Sequence, residues 1–218
     1  MSAPATTADL VAALADAGVA TTYEAAGRRG LVDADLIPLL PGVRVAGRAR
    51  TALCGQDDNL MVHAAMAELR AGEVLVITMP EPRPIGVVGD LLATQALGRG
   101  AAGLLIDAAV RDVTDLRALG LPIWSRWVRC RGATKDQVGT VNEPVEVGGC
   151  PIATGDVVVL DDDGAACVPA DRLADVAAAV DARLAKEATK RAKLRAGALS
   201  YELDGLRAVV EAPRGRTA

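Results

Sequence analysis

The stretch GVVGDLLATQALGRGAAGLLIDAAVRD, residues 86–112, contains one helix and one strand with a charged turn at the end of each. Leu91-Leu92-Ala93-Thr94-Gln95-Ala96-Leu97 reads as helix and stops at Gly98-Arg99-Gly100. Gly103-Leu104-Leu105-Ile106 is a short continuous apolar strand of the kind buried on both faces. The same alternation continues outward. Upstream, Val74-Leu75-Val76-Ile77 is a second such strand. It follows a helix opened by Asp57-Asp58-Asn59, with Leu60, His63, Ala64, Met66 and Ala67 inward, and closed at Arg70-Ala71-Gly72. Downstream, residues 112–119 are helical, Gly120 terminates them, and Leu121-Pro122-Ile123-Trp124 is the next strand. Helix alternating with buried strand is the pattern of an α/β unit.

The flanks differ. Residues 43–53 alternate apolar with polar or small side chains, which reads as a strand with one wetted face. Thr6 or Thr7 caps a first helix that ends near Gly18, and a second short helix is expected over residues 22–26. Pro80, Pro82 and Pro84 mark a loop leading to Gly86. After residue 140 the strands become short: Val145-Glu146-Val147, Ile152 and Val157-Val158-Val159-Leu160, separated by Gly148-Gly149 and Gly155. Asp161-Asp162-Asp163-Gly164 turns the chain so that residues 165–168 pair back. Its ligand spacing does not match a calcium-binding EF-hand loop. Residues 171–195 form one long, alanine-rich, charged helix, more a packing or oligomer element than a catalytic one. The expected architecture is a mixed α/β sheet, a β-meander and a terminal helix, within one domain over residues 1–218.

Composition excludes several functions. The chain has 218 residues, 51% hydrophobic and 24% charged, with no Phe, so its core is aliphatic. A net charge of −4 argues against a nucleic-acid partner and a polybasic membrane anchor. No apolar run is long enough to span a bilayer and no signal peptide is visible, so a cytoplasmic protein is expected. The single histidine, His63, rules out a multi-histidine zinc site and reads as a core residue. Cys54, Cys130, Cys150 and Cys167 form no CxxC pair and read as small buried hydrophobes. The glycine-rich pieces match neither GxGxxG nor a P-loop.

Two junctions carry the candidate chemistry. Gly89-Asp90-Leu91-Leu92 puts backbone N–H groups and an acid at a helix start, which suits a substrate carboxylate, although Asp90 as a helix cap fits equally well. Ile106 to Asp112 puts Asp107, Arg111 and Asp112 at the carboxyl end of a strand, where open α/β sheets bind ligands; Asp112 as an N-cap also fits. One βαβ unit brings Asp90, Arg111 and Asp112 to the same rim. Two carboxylates and an arginine suit a hard divalent ion, Mg²⁺ or Mn²⁺, beside a clamp for an anionic substrate.

Asp58-Asn59-Leu60 with His63, Gly72-Glu73-Val74-Leu75-Val76, Gly89-Asp90-Leu91-Leu92-Ala93, Gly103 through Asp107, Val110-Arg111-Asp112, Gly120-Leu121-Pro122, Gly155-Asp156-Val157-Val158 and Asp162-Asp163-Gly164 occur in the order seen in the RraA-like family, which this chain resembles from about Val19 to Gly197. The resemblance implies a swivelling β/β/α-type fold assembled as trimers or hexamers, with active sites between subunits. It implies a class II, divalent-metal aldolase that splits 4-hydroxy-4-methyl-2-oxoglutarate or 4-carboxy-4-hydroxy-2-oxoadipate into pyruvate and a second 2-oxo acid, often with oxaloacetate decarboxylase activity. Carried over, Asp112 is the direct metal ligand and Asp90 holds a metal-bound water that takes the C4 hydroxyl proton. Arg111 grips the substrate's carboxylate and keto oxygen and steadies the enolate, and Gly89 to Leu92 supply backbone donors. Glu187, on the terminal helix, is the candidate acid from a neighbouring subunit. Ala108, where the family usually has glycine, and the 124–127 stretch depart from its pattern. The family also holds non-catalytic regulators that bind ribonuclease E; these lose part of the carboxylate pair, which this chain keeps.

Overall fold

The computed structural model describes residues 5–212. The chain parts into two compact units, Met1–Val180 and Asp181–Ala218. In chain order the first contains α1 (Thr7–Ala25), β1 (Ile37–Pro38), β2 (Val45–Leu53), α2 (Leu60–Glu68), β3 (Glu73–Thr78), β4 (Gly86–Val88), α3 (Asp90–Gly98), β5 (Gly103–Val110), α4 (Val113–Leu119), β6 (Ile123–Val128), β7 (Thr140–Val141), β8 (Val145–Val147), β9 (Cys150–Ile152), β10 (Val157–Asp161), β11 (Gly164–Val168) and the start of α5 (Leu173–Arg195).

The main sheet runs β1-β6-β5-β3-β2-β10-β11, with β4 added to β5 and β7 to β2. Its centre is parallel: β2 with β3, β3 with β5, β5 with β6. All eight residues of β5 are buried, as expected of a parallel strand covered on both faces. The sheet curls until Trp124 of β6 donates its indole N–H to the Asp161 carbonyl of β10 at 2.8 Å. The result is a mixed α/β fold with a nearly closed sheet and a long C-terminal helix, as the resemblance implies. One core packs α2 and α3 against β3 and β5, a second lies between the sheet and the β8–β9 hairpin, and a third joins α1 and α5 to β10 and β11.

Several local expectations change. The first helix breaks at Gly18, as expected, but the second helical segment starts directly after it rather than at residue 22. Gly18 alone is non-helical, at φ 81°, and the Asp161 carboxylate accepts the Val19 N–H at 2.8 Å. The predicted helix at 22–26 is therefore the end of α1. In β2 only the first half has a wetted face. Arg50 is buried, its guanidinium forked onto Glu73 at 2.8 and 3.1 Å. The acidic turn is a hairpin as expected: Asp161 and Asp162 spend their carboxylates on the N–H groups of Val19, Asp163 and Gly42. Cys54, Cys150 and Cys167 are buried, whereas Cys130 is exposed on the loop after β6. Among the described residues no helix is long and apolar enough to cross a membrane.

The second unit holds the later turns of α5, then α6 (Ser200–Leu203) and α7 (Leu206–Glu211). Ion pairs stitch it: Lys190 to Asp204 at 2.6 Å, Arg207 to Glu211 at 3.0 Å, and Glu187 to Arg183 at 2.8 Å. Leu184, Leu199, Leu206, Val209 and Val210 are exposed on it.

Candidate active site

Two strand-to-helix junctions meet because β4 pairs in parallel with the end of β5. The Arg111 N–H donates to the Val88 carbonyl at 3.0 Å, so the residues after both strands share one rim. Gly89 is the N-cap of α3 and offers no side chain to its first turn, which leaves N–H groups there for other acceptors. The Asp112 carboxylate reaches across: its Oδ2 lies 3.4 Å from the Asp90 backbone nitrogen and 3.6 Å from Arg111 Nε. The approach needs glycine, since a Cβ at Gly89 would stand 2.4 Å from Asp112 Oδ2.

Asp112 itself occupies the left-handed region, φ 59°, and makes no capping hydrogen bond to α4. Neither acid therefore caps its own helix with its side chain: Asp90 is the first residue of α3, and Asp112 reaches the start of α3 instead of α4. Asp107 does not join the rim. It is buried in the middle of β5, beside Thr78 and 3.2 Å from Arg126, and burial raises its pKa against the pull of Arg126. Asp107 lies within β5, which is buried on both faces, whereas Arg111 and Asp112 follow the strand's last residue, Val110, so the three charges expected at one end are divided between core and rim.

Beside the rim is a cavity of about 170 Å³ whose walls include Gly89, Asp90, Leu91, Leu92 and Arg111 together with Asn59, His63 and Lys135. Asp112 touches three of these residues without being a wall itself. Leu91 is 80% exposed, unusual for a leucine at a helix start. His63 is not a satisfied core histidine. Its Nε2 is buried without a hydrogen-bond partner among the described residues, and burial together with the nearby Lys135 charge pushes its pKa down. Asn59, four residues earlier, gives its amide N–H to the Val87 carbonyl at 2.8 Å and leaves its Oδ1 buried and unpartnered among the described residues. The spacing of Asn59 and His63 put both on one helix face, a signal present in the sequence but masked by the apolar neighbours Leu60 and Ala64.

Lys135 comes from the loop after β6, and Asp58 holds that loop. Asp58 accepts from Thr134 Oγ1 at 2.7 Å, from the Asp136 N–H at 2.8 Å and from the Gln137 N–H at 3.2 Å, and also from the Leu60 N–H at 2.7 Å. Burial pushes its pKa up, but these four hydrogen bonds to the charged form outweigh it and hold the carboxyl at about 2. No sequence pattern links Asp58 to a loop 76 residues away.

The residues gathered here match a described family. The Aldolase/RraA model of the RraA-like family matches residues 8–167. The chain belongs to the RraA-like family. A relative named "Putative 4-hydroxy-4-methyl-2-oxoglutarate aldolase", from Halalkalibacterium halodurans, is 36% identical over 132 residues, covering 61% of this chain and 63% of the relative. Among solved structures, Streptomyces coelicolor RraAS2, described as an unusual member of the RNase ES inhibitor RraA family, superposes with a TM-score of 0.75 at 28% identity, covering 87% of this chain and 99% of its own. The RNA-processing inhibitor RraA from Thermus thermophilis gives a TM-score of 0.58 at 28% identity over 64% of this chain and 83% of its own.

Among the described residues no group of three or more His, Cys, Asp and Glu side chains gathers in a way that could hold a metal ion. The rim offers two carboxylates, Asp90 and Asp112. That donor set suits Mg²⁺, which is commonly held by one or two carboxylates and keeps several waters, better than a zinc cage.

Proposed function

We propose that this RraA-like protein is a divalent-metal-dependent aldolase. Its substrate is a 4-hydroxy-2-oxo diacid, 4-hydroxy-4-methyl-2-oxoglutarate or 4-carboxy-4-hydroxy-2-oxoadipate, cleaved to pyruvate plus pyruvate or oxaloacetate, with oxaloacetate decarboxylation as a companion activity. The observation that carries this reading is the meeting of the Asp112 carboxylate, the Asp90 N–H and the Arg111 guanidinium at the mouth of one cavity. The name of the Halalkalibacterium relative supports the same reaction class.

Asp112 would hold Mg²⁺ or Mn²⁺ directly and Asp90 through water, with Glu187 of a second copy as the further acid in a trimer or hexamer. Bound there, the ion supplies Lewis-acid stabilisation of the negative charge on the keto oxygen. The chain's own groups do the rest. Arg111 presents a planar fork to the 2-oxo carboxylate and its keto oxygen, and the N–H groups of Leu91 and Leu92 in the first turn of α3 receive carboxylate oxygens. Asp90 is the path by which the C4 hydroxyl proton leaves as the C3–C4 bond breaks. Charge that moves onto the enolate oxygen stays within reach of Arg111 until C3 is protonated. Lys135 adds a positive charge for the substrate's second carboxylate.

Two structural relatives, one described as a member of the RNase ES inhibitor RraA family and one as an RNA-processing inhibitor, favour a second reading, a regulator that binds ribonuclease E. Pyruvate release from oxaloacetate and from both C4-hydroxy diacids, in Mg²⁺ or Mn²⁺ and then in EDTA, separates the two. The aldolase releases pyruvate and loses it with EDTA. A protein that releases none with either metal yet inhibits ribonuclease E is the regulator.

A further inference from the structure

A second cavity, about 200 Å³, lies away from the acidic rim and is lined by Arg29, Gly30, Cys150, Cys167, Arg172 and Val176 among others. Cys150 opens β9 and Cys167 lies near the end of β11, both buried and both walls of this one cavity; the Cys150 thiol donates to the Pro151 carbonyl at 3.6 Å. One segment of chain holds both strands in place. The Gly30 carbonyl accepts the Cys167 N–H at 2.7 Å, the Val32 N–H donates to the Ala165 carbonyl at 3.1 Å, and the Asp33 N–H donates to the Gly148 carbonyl in the turn before β9 at 3.0 Å. Gly30 sits at φ 81°, and any Cβ there would lie 1.9 Å from the Cys167 carbonyl oxygen, so the packing around Cys167 is tight.

We propose that Cys150 and Cys167 are a peroxide-oxidisable thiol pair that closes to an intramolecular disulfide. The Cys150 thiolate attacks one oxygen of hydrogen peroxide; the O–O bond breaks, hydroxide leaves and Cys150 becomes a sulfenic acid. The Cys167 sulfur then attacks the Cys150 sulfur, the S–O bond breaks, and the Cys167 proton leaves with the hydroxyl as water. Two thiols lose two electrons and two protons, and one peroxide becomes two waters. Cys150 is the attacking sulfur because the neighbouring Cys167 thiol lowers its pKa against the opposing effects of burial, Asp156 and Glu146, while the Cys150 contact and burial raise that of Cys167. The Cys167 thiol also lies 3.9 Å from Asp156 Oδ2, whose carboxylate is fixed by the N–H groups of Ala153 and Ala170. Cys54 has no such partner: burial pushes its thiol up to about 12 and keeps it inert.

Hydrogen peroxide applied to the full chain carrying Cys130→Ser, which removes the exposed thiol, tests this. The denatured thiol count is expected to fall by two, and dithiothreitol to restore it. Asp156 and Asp161 to Asp163 lie between the two cysteines, so cleavage at aspartate leaves the Cys150 and Cys167 peptides joined until reduction. The added change Cys150→Ser abolishes the joined peptide. Unchanged thiols, a pair involving Cys54, or sulfinic acid at either position without a joined peptide would overturn the proposal; the peptide map on unsubstituted protein decides even if the serine variants fold poorly.

Discussion

The N-termini of α1 and α4 solve the same local problem in opposite ways. At α1, Thr6 accepts the Asp9 N–H at 3.2 Å and the Asp9 carboxylate returns to the Thr6 N–H at 2.8 Å, a complete capping box. At α4, Asp112 is the residue in the capping position, yet its carboxylate bypasses its own helix for the start of α3 and for Arg111. It also accepts a left-handed backbone, which costs a non-glycine residue of the order of 1 kcal/mol. Asp58, just before α2, stands between the two: one oxygen serves the Leu60 N–H and the other a loop distant in sequence. A carboxylate at a helix start that leaves local donors unsatisfied is spent on something other than stability.

Asp112→Asn breaks this contrast most strongly. The amide tolerates the left-handed backbone, so the thermal midpoint stays near that of the parent, whereas the proposed metal-dependent pyruvate release is expected to fall by about 10³-fold. Parallel calorimetry and steady-state assays in Mg²⁺ check it; full activity removes Asp112 from the site. Next in size is Arg111→Lys, which keeps the charge and loses the planar fork, lowering kcat/KM by about 10²-fold. An unchanged kcat/KM would place substrate elsewhere.

Asp58→Asn comes third and acts on stability. The folded carboxyl is held at about 2 against an ordinary value of 3.8. That difference is worth about 2 kcal/mol, fully present above pH 4 and lost as the pH falls through 4 towards 2. Urea unfolding at pH 7 should show the variant less stable by about that amount, and the gap should shrink near pH 2. A gap that does not change with pH would assign the loss to packing. Smallest is Thr6→Ala, expected to cost about 1 kcal/mol in unfolding with activity untouched, because its oxygen serves only its own helix.

Much of the parallel half was legible because its signals are local. Runs such as Val74 to Ile77 and Gly103 to Ile106 have the length and composition of two-sided burial, and Gly120, at φ 78°, ends α4 where a helix stop was expected. Elsewhere the local signal misled. Arg50 looked solvent-facing until Glu73 on the adjacent strand supplied its fork, and Asp107 looked like a rim residue although its side chain enters the core. His63 looked like core because a helix pattern records which face is inward and not whether a cavity lies there.

The sequence by itself determined the alternation of helix and strand, the aliphatic core and the presence of Asp90, Arg111 and Asp112 at two chain turns, since these follow from spacing and side-chain chemistry within a few residues. Only the tertiary structure decided that β4 adds to β5, that Gly89 lets Asp112 reach Asp90, that Asp58 fixes the loop carrying Lys135, and that Cys150 and Cys167 line one cavity. Each is a contact between segments well apart in the chain, which no local pattern encodes: it forms because apolar burial brings the strands together and the polar groups carried inward must then find partners or a cavity.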